Sequence, residues 1–193
     1  PRAGAPLLLV AGFLGGAAVA LKLTMASALI ALGAVVALGV AMRSVSLRAA
    51  LAFCGGSVLG YLAIAGYWCW QLWERLGNPL FPFANNIFRS PYLPAEAMRD
   101  SRWVAGSPMD YLSPPFTMAL GLTERLQEIP FRDARFLLVL LAGLVWLALR
   151  VSGKRPPLAP GPRGLLVFVL VGYVTWATAF YYYRYAAVLE FLA

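Results

Sequence analysis

The chain has 193 residues, of which 61% are hydrophobic and 12% charged, and its formal net charge is +8. A soluble domain carries about twice that charged fraction, so an ordinary soluble globule is excluded, leaving a large-cored soluble helical protein as the minor competing class. Histidine is absent, which removes the commonest general base and the commonest metal ligand.

The first apolar block is PLLLVAGFLGGAAVALKLTMASALIALGAVVALGVA, residues 6–41. A helix needs about 20 apolar residues to cross a bilayer. The block is too long for one span and barely long enough for two, so a split near Lys22 predicts helices over 6–21 and 23–41; a break at Gly15–Gly16 is the alternative. A third helix is expected over 47–74. It ends in YWCWQLWERLG, where Tyr67, Trp68, Trp70 and Trp73 form an interfacial aromatic belt. Gly12/Gly16 and Gly56/Gly60 have the small-xxx-small spacing that lets helices approach closely, and are read as packing residues. Cys54 and Cys69 lie on one predicted helix, roughly 22 Å apart along its axis. They cannot bridge each other.

A long connection follows, residues 77–132. It is too long for a linker and too apolar for a disordered one. Its first part, GNPLFPFANNIFRSPYLP, contains Pro79, Pro82, Pro91 and Pro94, which forbid a continuous helix. Phe81, Phe83, Ile87 and Phe88 are too apolar for open water, and Asn78, Asn85 and Asn86 add neutral hydrogen-bonding groups. Such a loop suits a ligand with both a lipid tail and a sugar; a plain re-entry anchor would explain it too. Short amphipathic helices are expected near 94–104 and 114–128, lying at the membrane surface. Spans are then expected over 134–150 and 165–183, and RYAAVLEFLA begins another helix.

The charge is uneven. Residues 74–135 carry seven basic and seven acidic side chains, while the other nine basic residues face only Glu190. Six of those nine lie in MRSVSLR and RVSGKRPPLAPGPRG. Short basic loops stay in the cytoplasm, which puts the 77–132 connection and the YYYRY corner on the outer side. The basic surplus thus reports orientation. No aromatic–basic RNA motif accompanies it, so no nucleic-acid partner is expected. The predicted fold is all-α, a single polytopic transmembrane helix bundle over 1–193 with five to six spans and one long outer loop containing short interfacial helices. The absence of an initiator methionine and the apolar end EFLA suggest a piece of a longer protein.

Several charged residues invite a functional reading. Lys22 stands among apolar residues, where it either snorkels or meets a phosphate at the outer face. Arg184, in YYYRYAAVLE, is either an interfacial anchor or a two-pronged phosphate clamp. Glu190 lies in an apolar stretch and is expected to face the protein interior. In EIPFRDAR, Asp133 either caps the next helix and pairs with Arg132 or Arg135, or joins a charged rim on an outward cavity. Asp100, Asp110 and Asp133 are candidate carboxylate bases, with a solvated or capping role as the alternative for each. No metal-ligand spacing exists, and no cofactor is expected.

GFLGGAAVALKLTMA resembles the G-L-A-x-x-x-K-x-T segment of polytopic, lipid-dependent glycosyltransferases of the GT-C fold, with Lys22 at the lysine position and Thr24 after it. YYYRYAAVLE resembles that group's R-Y-x-x-P-L corner at Arg184 and Tyr185, although Leu189 and Glu190 stand where the proline is expected. GNPLFPF is similar to the G-N-P-x-x-P outer loop of bacterial members. The resemblance implies an inner-membrane enzyme that moves a sugar from a polyprenyl-phosphate carrier to an acceptor at the outer face. It implies that Lys22 and Arg184 meet the carrier phosphate; Tyr185 and Asn78, which lie in the matched motifs, and Arg132 and Arg135 of the charged rim are the further candidate substrate-binding residues. It places the catalytic carboxylate in a first outer loop that precedes this chain, and admits a divalent metal in related enzymes. The partners would be the lipid-linked sugar donor and membrane lipids. A transporter of lipid-linked sugars, needing the same cations but no base, and a non-catalytic membrane scaffold are the competing functions.

Overall fold

A computed structural model describes residues 4–96, 103, 105–153, 158–190 and 192. The described residues form helices and turns. In chain order the helices are α1 (Ala5–Leu21), α2 (Ala26–Ala41), α3 (Leu47–Leu76), α4 (Asn85–Phe88), α5 (Pro108–Leu112), α6 (Pro114–Leu120), α7 (Arg135–Val151), α8 (Pro160–Ala179) and α9 (Ala187–Glu190). Three helical stretches are long and apolar enough to cross a membrane: Leu23–Ala41, Leu47–Leu76 and Pro160–Ala179. The 17-residue α1 is apolar but shorter. This is a helical membrane protein. It divides into two compact units, Pro1–Leu29 with Gly39–Ser101, and Ile30–Leu38 with Arg102–Ala193.

In the first unit the long apolar block breaks at Lys22 and not at Gly15–Gly16, which lies within α1. Lys22 leaves helical geometry at φ −151° and ψ 108°, and a three-residue 3-10 turn follows before α2. A Cβ on Gly15 would meet Leu29 Cδ1 at 2.7 Å. The two residues lie seven positions either side of Lys22, so the chain reverses there. A continuous helix would hold them about 21 Å apart.

The α1–α3 contact is made of backbone. A Cβ added to Gly12 would overlap the Phe53 carbonyl oxygen, and one on Gly16 would overlap that of Ser57. Reciprocally, Gly56 faces the Leu9 carbonyl and Gly60 that of Phe13. The two small-xxx-small motifs therefore read each other across one crossing. Only glycine permits this approach. Ser46 starts α3 by accepting the Ala49 N–H at 3.2 Å. Gly77 ends it in the left-handed region at φ 67°, donating to the Trp73 carbonyl at 2.8 Å.

In the second unit α8 begins at Pro160, earlier than the 165 expected. Proline suits a first helical turn, and Arg163 helps close that turn by donating to the Leu158 carbonyl at 2.9 Å. The helix also ends earlier. Phe180 and Tyr181 both donate to the Trp176 carbonyl at 2.9 Å, and Tyr181 takes φ 42°. The tyrosine run is thus a corner and not the end of a span. The chain then folds back along α8: a Cβ on Gly172 would lie 3.0 Å from Leu189.

The expected surface helix over 114–128 stops at Leu120. Gly121, at φ 79°, donates to Met118 while Leu122 donates to Thr117, the paired bonds that close a helix on a left-handed glycine. The stretch 94–104 lies mostly outside the described residues, and 94–96 is not helical.

Gly55 and Gly56 are neighbours with opposite surroundings, since a Cβ on Gly55 meets nothing within 4 Å. Gly55→Ala is expected to stabilise the protein by about 0.5–1 kcal/mol through helix propensity. Gly56→Ala should cost about 1–3 kcal/mol by overpacking. Reversible denaturation in mixed micelles measures both; equal effects would refute the glycine-on-carbonyl crossing.

Candidate functional site

In the second unit the chain is tied together around the corner 180–186. Each of three consecutive tyrosines holds something different. Tyr181, buried, donates its hydroxyl to the Asp110 carbonyl at 2.9 Å. The Tyr182 carbonyl accepts Trp176 Nε1 at 2.8 Å, and its ring meets Trp103 edge-on at 4.5 Å. Tyr183 donates its N–H to the Leu126 carbonyl at 2.9 Å and its hydroxyl to Asp133 Oδ2 at 2.6 Å. Tyr173, within α8, adds a bond to the Tyr111 carbonyl at 2.9 Å. Segment 105–134 is thereby fastened to the end of α8.

The two described carboxylate candidates are structural anchors in this arrangement. Asp110 Oδ2 accepts the N–H groups of Gly106 and Ser107 at 2.8 and 2.9 Å, and Oδ1 accepts Arg125 Nη1 at 2.9 Å. Burial on its own would raise its pKa, but those amides and the guanidinium together hold it below the usual carboxylate range. Asp133 binds Arg135 in a fork. Nε reaches Oδ1 at 3.0 Å and Nη2 reaches Oδ2 at 2.9 Å, while the Arg135 N–H adds a third bond at 2.9 Å. Again burial raises the pKa, and Arg135 with the Tyr183 hydroxyl more than offsets it. A carboxylate stabilised as its anion is a weak base. Neither offers the raised pKa that suits proton abstraction at neutral pH. Asp100, the third candidate, lies outside the described residues.

The cations divide differently. Arg125 and Arg135 are committed to aspartates. Arg184 is exposed, on a single 3-10 turn, Tyr183–Ala186. Its Cζ lies 5.1 Å from the Tyr182 ring centroid and 5.7 Å from that of Tyr185. Among the described residues no carboxylate pairs with it. Two aromatic faces hold the guanidinium through cation–π attraction and leave its fork of donors for a ligand. Arg132 is exposed as well, its stem lying across Gly121 at 3.0 Å from an added Cβ. Phe131 and Tyr183 are in ring contact at 4.1 Å, and Arg132 and Arg184 each follow one member of that pair in the chain.

Lys22 and Asn78 belong to the first unit. Lys22 is exposed at the reversal between α1 and α2. Asn78 is fully buried. Its amide is used internally: Nδ2 donates to the Phe83 carbonyl at 2.9 Å and to Asn85 Oδ1 at 3.3 Å, and Oδ1 accepts the Leu80 N–H at 2.9 Å. It shapes the loop instead of presenting a group to a ligand. Sequence reasoning gave Asn85, Tyr181 and Tyr183 no individual role. The available signal was three adjacent aromatics with polar tips directly after a span, a composition suited to tying backbone groups together.

Among the described residues no cluster of His, Cys, Asp or Glu could hold a metal ion. No protein-family model matches the chain, and no curated protein or solved structure matches it.

Asp110 and Asp133 make segment 105–134 acid-sensitive with a definite sign. Their folded pKa values lie below the unfolded value of about 3.9, so their stabilisation is complete above roughly pH 5. It is lost as pH falls through the folded values. The thermal midpoint in detergent should therefore drop on acidification below about pH 4. Asp133→Asn should lower the midpoint at neutral pH and flatten that dependence, and a parallel profile for the variant would refute it.

Proposed function

We propose that this chain is the carrier-binding part of an integral-membrane glycosyltransferase of the GT-C kind. In this reading it moves a sugar from a polyprenyl-phosphate carrier to an acceptor at the outer face of a bacterial inner membrane. Five to six spans are formed by α1, α2, α3, α7, α8 and the returning terminal segment. The basic connections lie inside, and residues 77–132 lie outside.

The observation that carries the reading is Arg184. It is an exposed guanidinium set between the Tyr182 and Tyr185 rings, without a carboxylate among the described residues. It occupies the motif position where the resemblance expects a phosphate contact. Guanidinium donors match phosphate oxygens in pairs, and cleavage of a sugar–phosphate bond develops charge on the departing phosphate. A fixed cation there stabilises that transition state. Arg132 supplies a second positive charge to the same outer region. Lys22, which belongs to the first unit, is proposed as a phosphate contact on its own motif position. The anionic, well-bonded states of Asp110 and Asp133 fit a base supplied from elsewhere in the full-length protein.

The test is transfer of radiolabelled sugar from a polyprenyl phosphate by the full-length protein in lipid. Arg184→Ala is expected to lower turnover by about 10²–10³-fold, and Lys22→Ala by a smaller factor, with thermal midpoints unchanged. Arg184→Lys should recover only part of the rate, because it keeps the charge and loses the fork. Wild-type turnover in both alanine variants removes the site assignment. Label that crosses the bilayer still attached to its carrier would replace transfer with transport.

A further inference from the structure

Segment 77–94 is folded inside out with respect to water. Its most buried side chains are polar, with Asn78 0%, Asn85 1% and Ser90 3% exposed. Large apolar side chains lie outside, with Ile87 70%, Tyr92 64% and Phe83 46% exposed. A single exposed apolar residue needs no explanation, but a buried polar set beneath exposed aromatics does. We propose that this segment is a preformed wedge seated in the headgroup and upper acyl region of the bilayer, with Phe83, Ile87 and Tyr92 facing lipid.

The polar interior is what allows an irregular backbone to enter an apolar medium. Asn85 Nδ2 lies 2.9–3.2 Å from three carbonyls, those of Ser90, Leu93 and Pro94. Its Oδ1 accepts the Ser90 N–H at 2.8 Å and the Asn78 amide at 3.3 Å. Backbone groups that would otherwise demand water are thus satisfied from within, which lipid requires. Ala84 and Arg89, flanking α4, are both held at φ 54°. That left-handed geometry persists in non-glycine residues only where surrounding bonds over-determine it. The shape is set before any contact with lipid.

Continuity with the span fixes the depth. α3 runs 30 residues, about 45 Å, against a hydrocarbon core of about 30 Å. Its last turns expose Tyr67, Trp68, Trp70 and Trp73, an interfacial belt. Phe88 packs edge-on against Trp73 at 6.0 Å, which fastens the wedge at belt level. Charge selects the kind of surface. Segment 77–94 itself holds one charged side chain, Arg89, and its neighbours Glu74, Arg75 and Glu96 bring 74–96 to zero, so the wedge is held by apolar burial and not by anionic headgroups.

Single cysteines at positions 83, 87, 92 and 86, in the full chain with Cys54 and Cys69 replaced by serine, test the wedge in nanodiscs. The probes are a fluorescent label quenched by shallow spin-labelled phosphatidylcholine and a water-soluble maleimide. At 83, 87 and 92, lipid quenching is expected, with maleimide reaction at least about tenfold slower than at Asn86. The pattern should be the same with and without anionic lipid. Asn85→Asp, which removes the donating amide, should abolish the difference between positions. Hydroxyl-radical footprinting of the unsubstituted chain checks Phe83 and Tyr92 without any substitution, and protection is expected. Rapid maleimide reaction at all four positions overturns the proposal in favour of a water-facing loop. Slow reaction without lipid quenching overturns it in favour of a protein partner, and dependence on anionic lipid overturns the charge argument.

Discussion

Lipid removes the force that ordinarily brings helices together. Acyl chains are as apolar as leucine, so burying a leucine between two helices gains little over leaving it in the bilayer. Close packing and satisfied polar groups must do that work, and each unit of this protein meets the requirement in its own way. In the first, Gly12, Gly16, Gly56 and Gly60 bring two backbones into direct contact. Any side chain at those four places would enter the opposing carbonyl. In the second, a tyrosine corner collects carbonyls and a carboxylate from segment 105–134 and fixes them to the end of α8. Both solutions spend few residues and tolerate little change at them.

The same constraint explains the side chains chosen for the irregular parts. A turn in contact with lipid cannot leave N–H and C=O groups to water. Asparagine can both donate and accept, and Asn78 and Asn85 between them bond Leu80, Phe83, Ser90, Leu93 and Pro94. Tyrosine and tryptophan bring an apolar ring with one polar tip. Tyr173, Trp176, Tyr181 and Tyr183 each use that tip on a group within the second unit.

Much of the helical layout was legible because it follows from period-independent quantities. Apolar run length placed α1, α2, α3, α7 and α8, and the excess length of 6–41 required a break, for which Lys22 was the first choice and Gly15–Gly16 the alternative. Boundaries set by particular bonds were not legible. The stop at Gly121 depends on a left-handed glycine beneath the Arg132 side chain, and composition reads 114–128 as one amphipathic helix. The tyrosine run looked like the end of a span because tyrosine is common at membrane interfaces. Only the donations from Phe180 and Tyr181 to Trp176 show that the helix has closed. Asn78 was legible as important and misread in kind, since an amide next to prolines looks equally suited to a ligand and to a turn. The glycine motifs were recognised as packing, but sequence could not say which helix each would meet.

The charges around the corner fall into two groups. Its two buried aspartates are each matched to one arginine, Asp110 to Arg125 and Asp133 to Arg135. Those pairs neutralise each other and serve the architecture. Removing either arginine would leave its buried aspartate uncompensated. The cations outside these pairs are Arg132 and Arg184, which follow the two members of the Phe131–Tyr183 ring contact. Each is exposed, and neither meets a carboxylate among the described residues. Arg184 is moreover held by aromatic faces, which restrain a guanidinium without using its donors. Glu124 and Glu128 lie exposed in segment 105–134, so the charges around the corner balance and what sets Arg184 apart is its aromatic mounting, not a surplus of positive charge.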